Sequence, residues 1–304
     1  MTDQSPQPRS RIQSRAVLWG LIAIYTLLIP NAIYIYRFIE ARFGLLFAGK
    51  IPLVIVILLG AGYVVYLWRS KLGWTKLLYM IPSAVIVLAI FRLEANPNKH
   101  IHIPEYILMA WLVYFAMKKD YRGGGMLILV FICASMLGVV DELEQGIHPG
   151  RTYGWTDMLV NTSSALIGVF TNLGLTGHQE SGWDWMEGLK RVKPLSGLVL
   201  AGIIINTLMC FYLFRVQANG GVLKGYYPDW LLILNYLFLV LAPLLFLKFN
   251  RITRLPLNLN QKQSKPLVHD KTGNVRCWIY PILAILLFMD LLLIFVSITG
   301  LTFK

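Results

Sequence analysis

Charge is scarce in this chain. Asp, Glu, Lys and Arg make up 14% of its 304 residues against 57% hydrophobic ones, and the mean hydropathy is +0.61. A water-soluble domain of this size needs more charge to cover its surface, so the composition excludes one and points to lipid as the solvent. Also missing is the polar–apolar alternation, about ten residues at a time, that builds a membrane β-barrel. Cysteine is rare. Cys133, Cys210 and Cys277 are an odd number in apolar settings, which argues against a disulfide framework and for packing. No CxxC, GxxxxGK[ST] or HExxH motif occurs, and Gly123-Gly124-Gly125 lies in a short basic loop where it relaxes a turn rather than cradles phosphate.

What the chain has instead is apolar runs. Nine are expected to cross a bilayer as helices: 16–36, 51–68, 77–91, 103–117, 126–140, 158–174, 196–214, 230–247 and 278–300. A crossing helix needs about 20 residues, so the third, fourth and fifth are short. Their polar flanks can sit at membrane depth if they face protein or a watery cavity. The expected fold is all-α, a polytopic helical membrane protein of about nine transmembrane helices. It divides into a disordered basic tail (1–15), two helices (16–74), a four-helix segment (75–174) and three further helices (175–304) with a basic loop at 249–277. The first run exceeds a signal-peptide core and lacks a small-residue cleavage site, so it is expected to stay as an anchor.

Lys and Arg orient such proteins by remaining cytoplasmic. With nine spans, 19 of the 28 basic residues fall on the tail and every second loop, and nine fall on the other side. The N-terminus is therefore expected inside and the C-terminus outside, in a cytoplasmic (inner) membrane crossed many times. Only six acids share the basic side, so that face carries the whole net charge of +13. Attraction to anionic lipid explains this bias without nucleic acid, so membrane lipids are expected partners and nucleic acid is not. The 249–277 loop is the best candidate for lipid-surface contact, with a solvated loop as the plainer reading. The sequence fixes no oligomeric state.

Two polar clusters then fall on the outer side, "NPNKHIHIPEY" at 96–106 and "DELEQGIHPGRTYGWTDMLVN" at 141–161. Pro104 suits the first turn of a helix. His102, Glu105 and Tyr106 are spaced i, i+3 and i+4, hence on one face. Gly138, Glu142 and Gln145 repeat that logic, and Asp157, Asn161, Ser164 and Gly168 form a polar and small stripe that lets helices approach. Asp157 at a helix start suits the dipole and a capping role. Lys99 and Arg151 stand in the loops above. Ionisable groups at a bundle rim are costly unless paired or wet, so these residues are expected to share a cavity. Asp141 and Glu144 read as solvated loop acids, and His100 and His148 as interfacial bystanders. Trp155, Trp183, Trp185 and Trp230 suit interface anchors. Asp290, deep in the last span, is expected either to face the same cavity or to hydrogen-bond a neighbour such as Asn206 or Asn235.

The ordered set K-x-x-H-x-x-E-Y, G-x-x-x-E-x-x-Q, P-G-R and D-x-x-x-N with a later Gly resembles the VanZ-like family of bacterial membrane proteins. The matching residues are Lys99, His102, Glu105 and Tyr106; Gly138, Glu142 and Gln145; Pro149, Gly150 and Arg151; Asp157, Asn161 and Gly168. The resemblance covers about 75–174, and Asn98 stands where many members have Asp. The family takes its name from teicoplanin resistance, so the resemblance implies an envelope-facing role without supplying a reaction.

Two functions compete. In the first, the outer cavity binds an amphipathic, anionic or lipid-linked small molecule, such as a wall precursor or an antibiotic's lipid tail. Lys99, Arg151, Tyr106, Gln145 and Asn161 would line it, Arg151 gripping phosphate or carboxylate in two-pronged fashion. In the second, the protein is a hydrolase or transferase acting on a lipid head group. Glu142 or Glu105 would then be the base, His102 an acid or metal ligand, and Asp157 an orienting group. The motifs of lipid-phosphate phosphatases are absent. No closely spaced ligand pair marks a metal site, so no cofactor is expected. A divalent ion (Mg²⁺, Mn²⁺ or Zn²⁺) among one His and several carboxylates is the lesser alternative. A third possibility is a polar clasp that only ties the helices.

Overall fold

A computed structural model describes residues 8–71, 73–121, 124–175, 183–186, 189–218, 227–252 and 271–299. Residues 1–7 of the tail, Gly123 and most of the 249–277 loop lie outside the described residues. Among those described the chain is helical, with no strand. In order come α1 (Pro8–Leu28), α2 (Ala32–Phe43), α3 (Leu45–Ala48), α4 (Ile51–Ser70), α5 (Met80–Leu93), α6 (His102–Met117), α7 (Met126–Ile147), α8 (Trp155–Leu175), α9 (Lys193–Ala218), α10 (Asp229–Ile252) and α11 (Lys271–Thr299). Lipid offers no hydrogen bonds, so even runs rich in Val and Ile, which favour strands in water, close their backbone bonds within helices.

Among the described residues, eight stretches are long and apolar enough to cross a membrane: Arg15–Phe43, Leu45–Ser70, Trp74–Leu93, Met126–Ile147, Trp155–Leu175, Lys193–Arg215, Asp229–Phe249 and Val275–Ser297. The chain is an all-α, multi-pass membrane protein. The run expected at 103–117 is α6, which has 16 residues and falls short of that length. Several boundaries differ from the sequence reading. The first helix begins at Pro8, inside the stretch expected to be disordered. α7 continues past 140 to Ile147, and α8 starts at Trp155 rather than 158, because a polar residue on a helix face shielded by protein does not end the helix. The breaks carry the expected chemistry. Gly44 and Gly73 take left-handed φ angles of +85° and +87°, which other residues adopt only with strain. Pro52 opens α4, and the Asn96 side chain accepts from the Asn98 N–H at 3.1 Å to start the single 3₁₀ turn before α6.

The chain divides into two compact units, Met1–Gly182 and Trp183–Lys304. In the first, α6 is the central helix, packed against α8, α7, α1 and α4. Ile103, Tyr106, Met109, Ala110, Val113 and Met117 of α6 are all buried. The outward faces of α2 and α4 carry Phe38, Leu58 and Trp68, exposed apolar side chains suited to lipid. Across the α6–α8 seam, Ile103 and Ile107 interlock with Val160 and Ile167, and the Trp111 indole N–H donates to Thr171 Oγ1 at 2.9 Å. The second unit is an α9–α10–α11 bundle. The Trp278 indole donates to the Trp185 carbonyl at 2.8 Å there, so Trp185 is a packing residue, while Trp183 and Trp230 are exposed. Asp290 is fully buried in this bundle. Among the described residues its carboxylate has no hydrogen-bond partner, so the bond expected to Asn206 or Asn235 is not made, and Asn206 instead donates to the Gly202 carbonyl at 2.9 Å.

Gly168 sets the spacing of α6 and α8. A Cβ there would lie 2.6 Å from Ala110 Cβ and 3.0 Å from the Ile107 carbonyl oxygen, which is backbone and cannot swing away. Gly168→Val is therefore expected to destabilise the unit by about 1–3 kcal/mol, the scale of overpacking. Gly62→Val, whose Cβ meets nothing within 4 Å, serves as the control. Thermal unfolding in detergent reads both, and equal midpoints would show that the seam does not depend on this contact.

Candidate functional site

Three helix ends meet in the first unit: the start of α6, the end of α7 and the start of α8. Each contributes polar side chains because the helical repeat turns them to one face. From α6 come His102, Glu105 and Tyr106, from α7 Asp141, Glu142 and Gln145, and from α8 Asp157 and Asn161. The 97–101 turn adds Lys99, and the 148–154 connection adds Arg151. His102, Tyr106, Asp141, Glu142, Gln145, Asp157 and Asn161 are all buried. The nine residues that the sequence offered as catalytic or ligand-binding all lie at these helix ends, seven of them bonded in one chain and Lys99 and Asp157 paired beside it.

The bonds run in a chain. The Tyr106 hydroxyl donates to Asp141 Oδ2 at 3.0 Å, and Gln145 Nε2 donates to the same oxygen at 2.9 Å and to Glu142 Oε1 at 3.1 Å. Glu142 also accepts from the Gly154 N–H at 3.2 Å and from Asn161 Nδ2 at 3.4 Å. Arg151 Nε donates to Gln145 Oε1 at 2.8 Å, Nη2 reaches the same oxygen, and Nη2 also stands 3.2 Å from His102 Nε2. A guanidinium can only donate, so this contact is a hydrogen bond when His102 Nε2 accepts and a ring proton sits on Nδ1. That nitrogen faces Glu105 Oε2 at 3.1 Å.

Lys99 bridges Asp157 at 2.8 Å and Glu94 at 3.3 Å. Partial burial alone would lower its pKa, but these two carboxylates outweigh that and raise it, holding the ammonium charged. Asp157 lies in the first turn of α8 and spends its carboxylate on Lys99, with Gly154 preceding the helix. Arg151 differs from Lys99. Among the described residues it makes no ion pair, and its partners are the Gln145 amide oxygen and the His102 ring.

Three sequence readings are corrected. Glu144 lies within α7 and is partly buried rather than in a solvated loop. Asp141 is no solvated loop acid. It is wholly buried within α7, one turn before Gln145, and it is a hub of the network. Its i, i+4 spacing to Gln145 was the available signal, hidden by ending the helix at 140. His100 is buried rather than interfacial, its ring against Phe91 and its Nε2 2.8 Å from the Glu94 carbonyl, and it remains outside the network. The sequence also gave no sign of three supports. Glu94 is the second partner of Lys99. The Tyr25 hydroxyl of α1 donates to the Glu105 carbonyl at 3.1 Å, and Arg37 of α2 donates to the Gly150 carbonyl at 3.1 Å. Only folding brings α1 and α2 to this end.

Chemically the centre is rich in unsatisfied acceptors. Among the described residues, Lys99 pairs with Asp157 and Arg151 lies near Asp141, while Glu105 and Glu142 have no Lys or Arg ion pair. Asp141 Oδ1 and Asn161 Oδ1 are buried with no hydrogen-bond partner. One ligand atom each of His102, Glu142 and Asp157 lie within 4.8 Å of one another, close enough to hold a metal ion. No known protein family matches the chain, and no curated protein or solved structure gives a significant match.

Glu142 is the member least tolerant of change. Both its oxygens receive N–H donors, so the amide of Glu142→Gln would turn an N–H toward another N–H. A loss of about 1–3 kcal/mol is expected, the cost of leaving a buried donor unpaired. Thermal unfolding of the variant in detergent measures it, and an unchanged midpoint would mean that these contacts do not hold the helix ends.

Proposed function

We propose that this is a VanZ-like protein of the cytoplasmic membrane. It has nine membrane helices, α6 among them, with the N-terminus inside and the C-terminus outside. Its site opens toward the envelope and binds an anionic, lipid-linked molecule such as a wall precursor. The motif resemblance over 75–174 and the bias of Lys and Arg support the family and the orientation.

The observation that carries the ligand reading is the state of Arg151. Four carboxylates surround it at the centre, yet among the described residues it bonds only the Gln145 amide oxygen and the His102 ring and keeps its charge unmatched at contact distance. A half-buried guanidinium held in place by Gln145 is ready for a phosphate or carboxylate, which it can grip with two parallel bonds. The lipid tail would lie along the helices. Holding a precursor or an antibiotic's lipid tail in this way would contribute to glycopeptide resistance of the teicoplanin type.

One observation favours a second reading, a hydrolase or transferase acting on a lipid head group. His102 has Glu105 on Nδ1, the arrangement in which a carboxylate orients a general base, and its Nε2 is covered by Arg151 Nη2 at 3.2 Å, so this reading needs Arg151 to turn away when substrate binds. Glu142 and Asp157 stand beside it. In this reading lipid bound by the purified protein would be chemically altered over time, and His102→Ala would stop the change without reducing retention.

The binding reading is tested by native mass spectrometry of gently purified protein. Arg151→Lys keeps the charge and loses the fork, so it should weaken retention of the bound lipid by about 1–3 kcal/mol, and Arg151→Ala by more. Equal retention of one lipid in all three proteins would reduce Arg151 to a brace between Gln145 and His102.

The orientation is tested by labelling introduced cysteines in a background lacking the native three. Gly150→Cys should react with an impermeant reagent from outside, and Gln261→Cys only after the membrane is opened. Labelling of Gly150→Cys from the cytoplasm alone would place the site on the wrong face for an envelope ligand.

A further inference from the structure

The site has too little positive charge for its acids, and the anionic ligand proposed above makes that worse. A carboxylate out of water is costly unless a cation or several donors compensate it. Among the described residues, Lys99 and Arg151 are the Lys and Arg side chains bonded to this network, against Glu105, Asp141, Glu142 and Asp157. A phosphate brought to Arg151 would add negative charge beside them. Something positive is needed for the ligand to approach.

We propose that His102, Glu142 and Asp157 bind a divalent cation, with an open position for an oxygen of the anionic ligand. The donors come from α6, α7 and α8, one from each, and their ligand atoms lie within 4.8 Å of one another. Nitrogen and oxygen ligands sit about 2.0–2.2 Å from Zn²⁺, so two across an ion are at most about 4.4 Å apart. The three donors have only to draw in slightly.

The surroundings fit a metal ligand set. His102 Nε2 is held only by Arg151 at 3.2 Å and becomes a metal donor once Arg151 turns to the ligand, and Glu105 on Nδ1 orients the ring as a carboxylate does behind many metal-bound imidazoles. Asn161 Oδ1 is wholly buried without a partner, while its Nδ2 reaches Glu142 Oε1 at 3.4 Å, so a further oxygen stands beside the triad. Lys99 and Arg151 occupy the places of a cation, on Asp157 at 2.8 Å and on His102 at 3.2 Å. Both have somewhere else to go, Lys99 to Glu94 and Arg151 to the ligand. One imidazole with two carboxylates suits Zn²⁺ or Mn²⁺ better than Ca²⁺. Because the donors are far apart in sequence and on separate helices, no motif announces them.

The inference rests on the ligand reading only for what fills the open position. The test uses the full chain in detergent, stripped with EDTA and titrated with Mn²⁺, with loss of the free-ion electron paramagnetic resonance signal as the readout. One Mn²⁺ per chain is expected, displaced by Zn²⁺. His102→Ala and Asp157→Asn should each weaken binding about tenfold or more, and Asp290→Asn in the other unit should not. Lys99→Met removes the competing ammonium and should tighten binding about threefold or more. A clasp with no metal role would not respond in that direction. Absent stoichiometric binding, or binding indifferent to His102 and Asp157, overturns the site. If those two variants do not fold, Lys99→Met decides alone, and unchanged or weaker binding overturns it. Lipid retention on the same sample separates the two readings. Metal bound through the triad without lipid keeps the site and removes the ligand, and the reverse removes only the metal.

Discussion

A carboxylate with no solvent exposure, placed within a bundle that lipid surrounds, must find its donors inside the protein. Glu142 is that group, and much of the first unit is arranged around it. Its two oxygens draw Gln145 from its own helix, Asn161 from α8 and the Gly154 N–H from the connection between them. Each donor comes from a different stretch of backbone, so α7, α8 and their link are held in one register. Asp141 extends the same demand to α6 through Tyr106. Gly138 completes the arrangement by leaving room, since a Cβ there would come within 2.9 Å of Asn161 Cβ and 3.2 Å of Tyr106. The small residue and the acid one turn later act together, one admitting the neighbouring helices and the other tying them.

The clasp and the site are thus the same atoms. A polar network that only held helices together would end with every group matched. Among the described residues this one ends with a guanidinium in no ion pair and with Asp141 Oδ1 and Asn161 Oδ1 unpartnered, all at the end where α6, α7 and α8 meet. The rigidity that fixes Glu142 also fixes the donors around it, which suits a site whose work depends on placement.

The broad architecture was legible in the sequence because lipid makes it so. Apolar runs must be helices, and ionisable residues among them must turn inward, so His102, Glu105, Tyr106, Glu142, Gln145, Asp157 and Asn161 could be grouped by helical spacing alone. Two kinds of information were not local. Where a helix ends cannot be read from polarity when its polar residues face protein, which is why Asp141 was assigned to a loop. Which distant helix comes to rest against the site is a matter of tertiary packing, which is why Tyr25, Arg37 and Glu94 carried no signal. The gathering of His102, Glu142 and Asp157 belongs to the second kind, for it needs three helix ends at one depth.

The short central helix has a consequence for depth. At 16 residues α6 rises about 24 Å, whereas a bilayer's hydrocarbon layer is about 30 Å thick. If its far end reaches the opposite boundary, His102 and its partners lie below the level of the surrounding head groups. Longer neighbours such as α7 and α8 then wall a recess, and the mismatch is absorbed as a local dip in the membrane surface rather than by tilting a helix that is packed on several sides. The head group of the proposed ligand, entering that recess, would shed part of its hydration and meet charges in a medium less screening than water. Few polar contacts would then suffice to hold it, and the thickness of the host bilayer would become a variable that tunes how readily it enters.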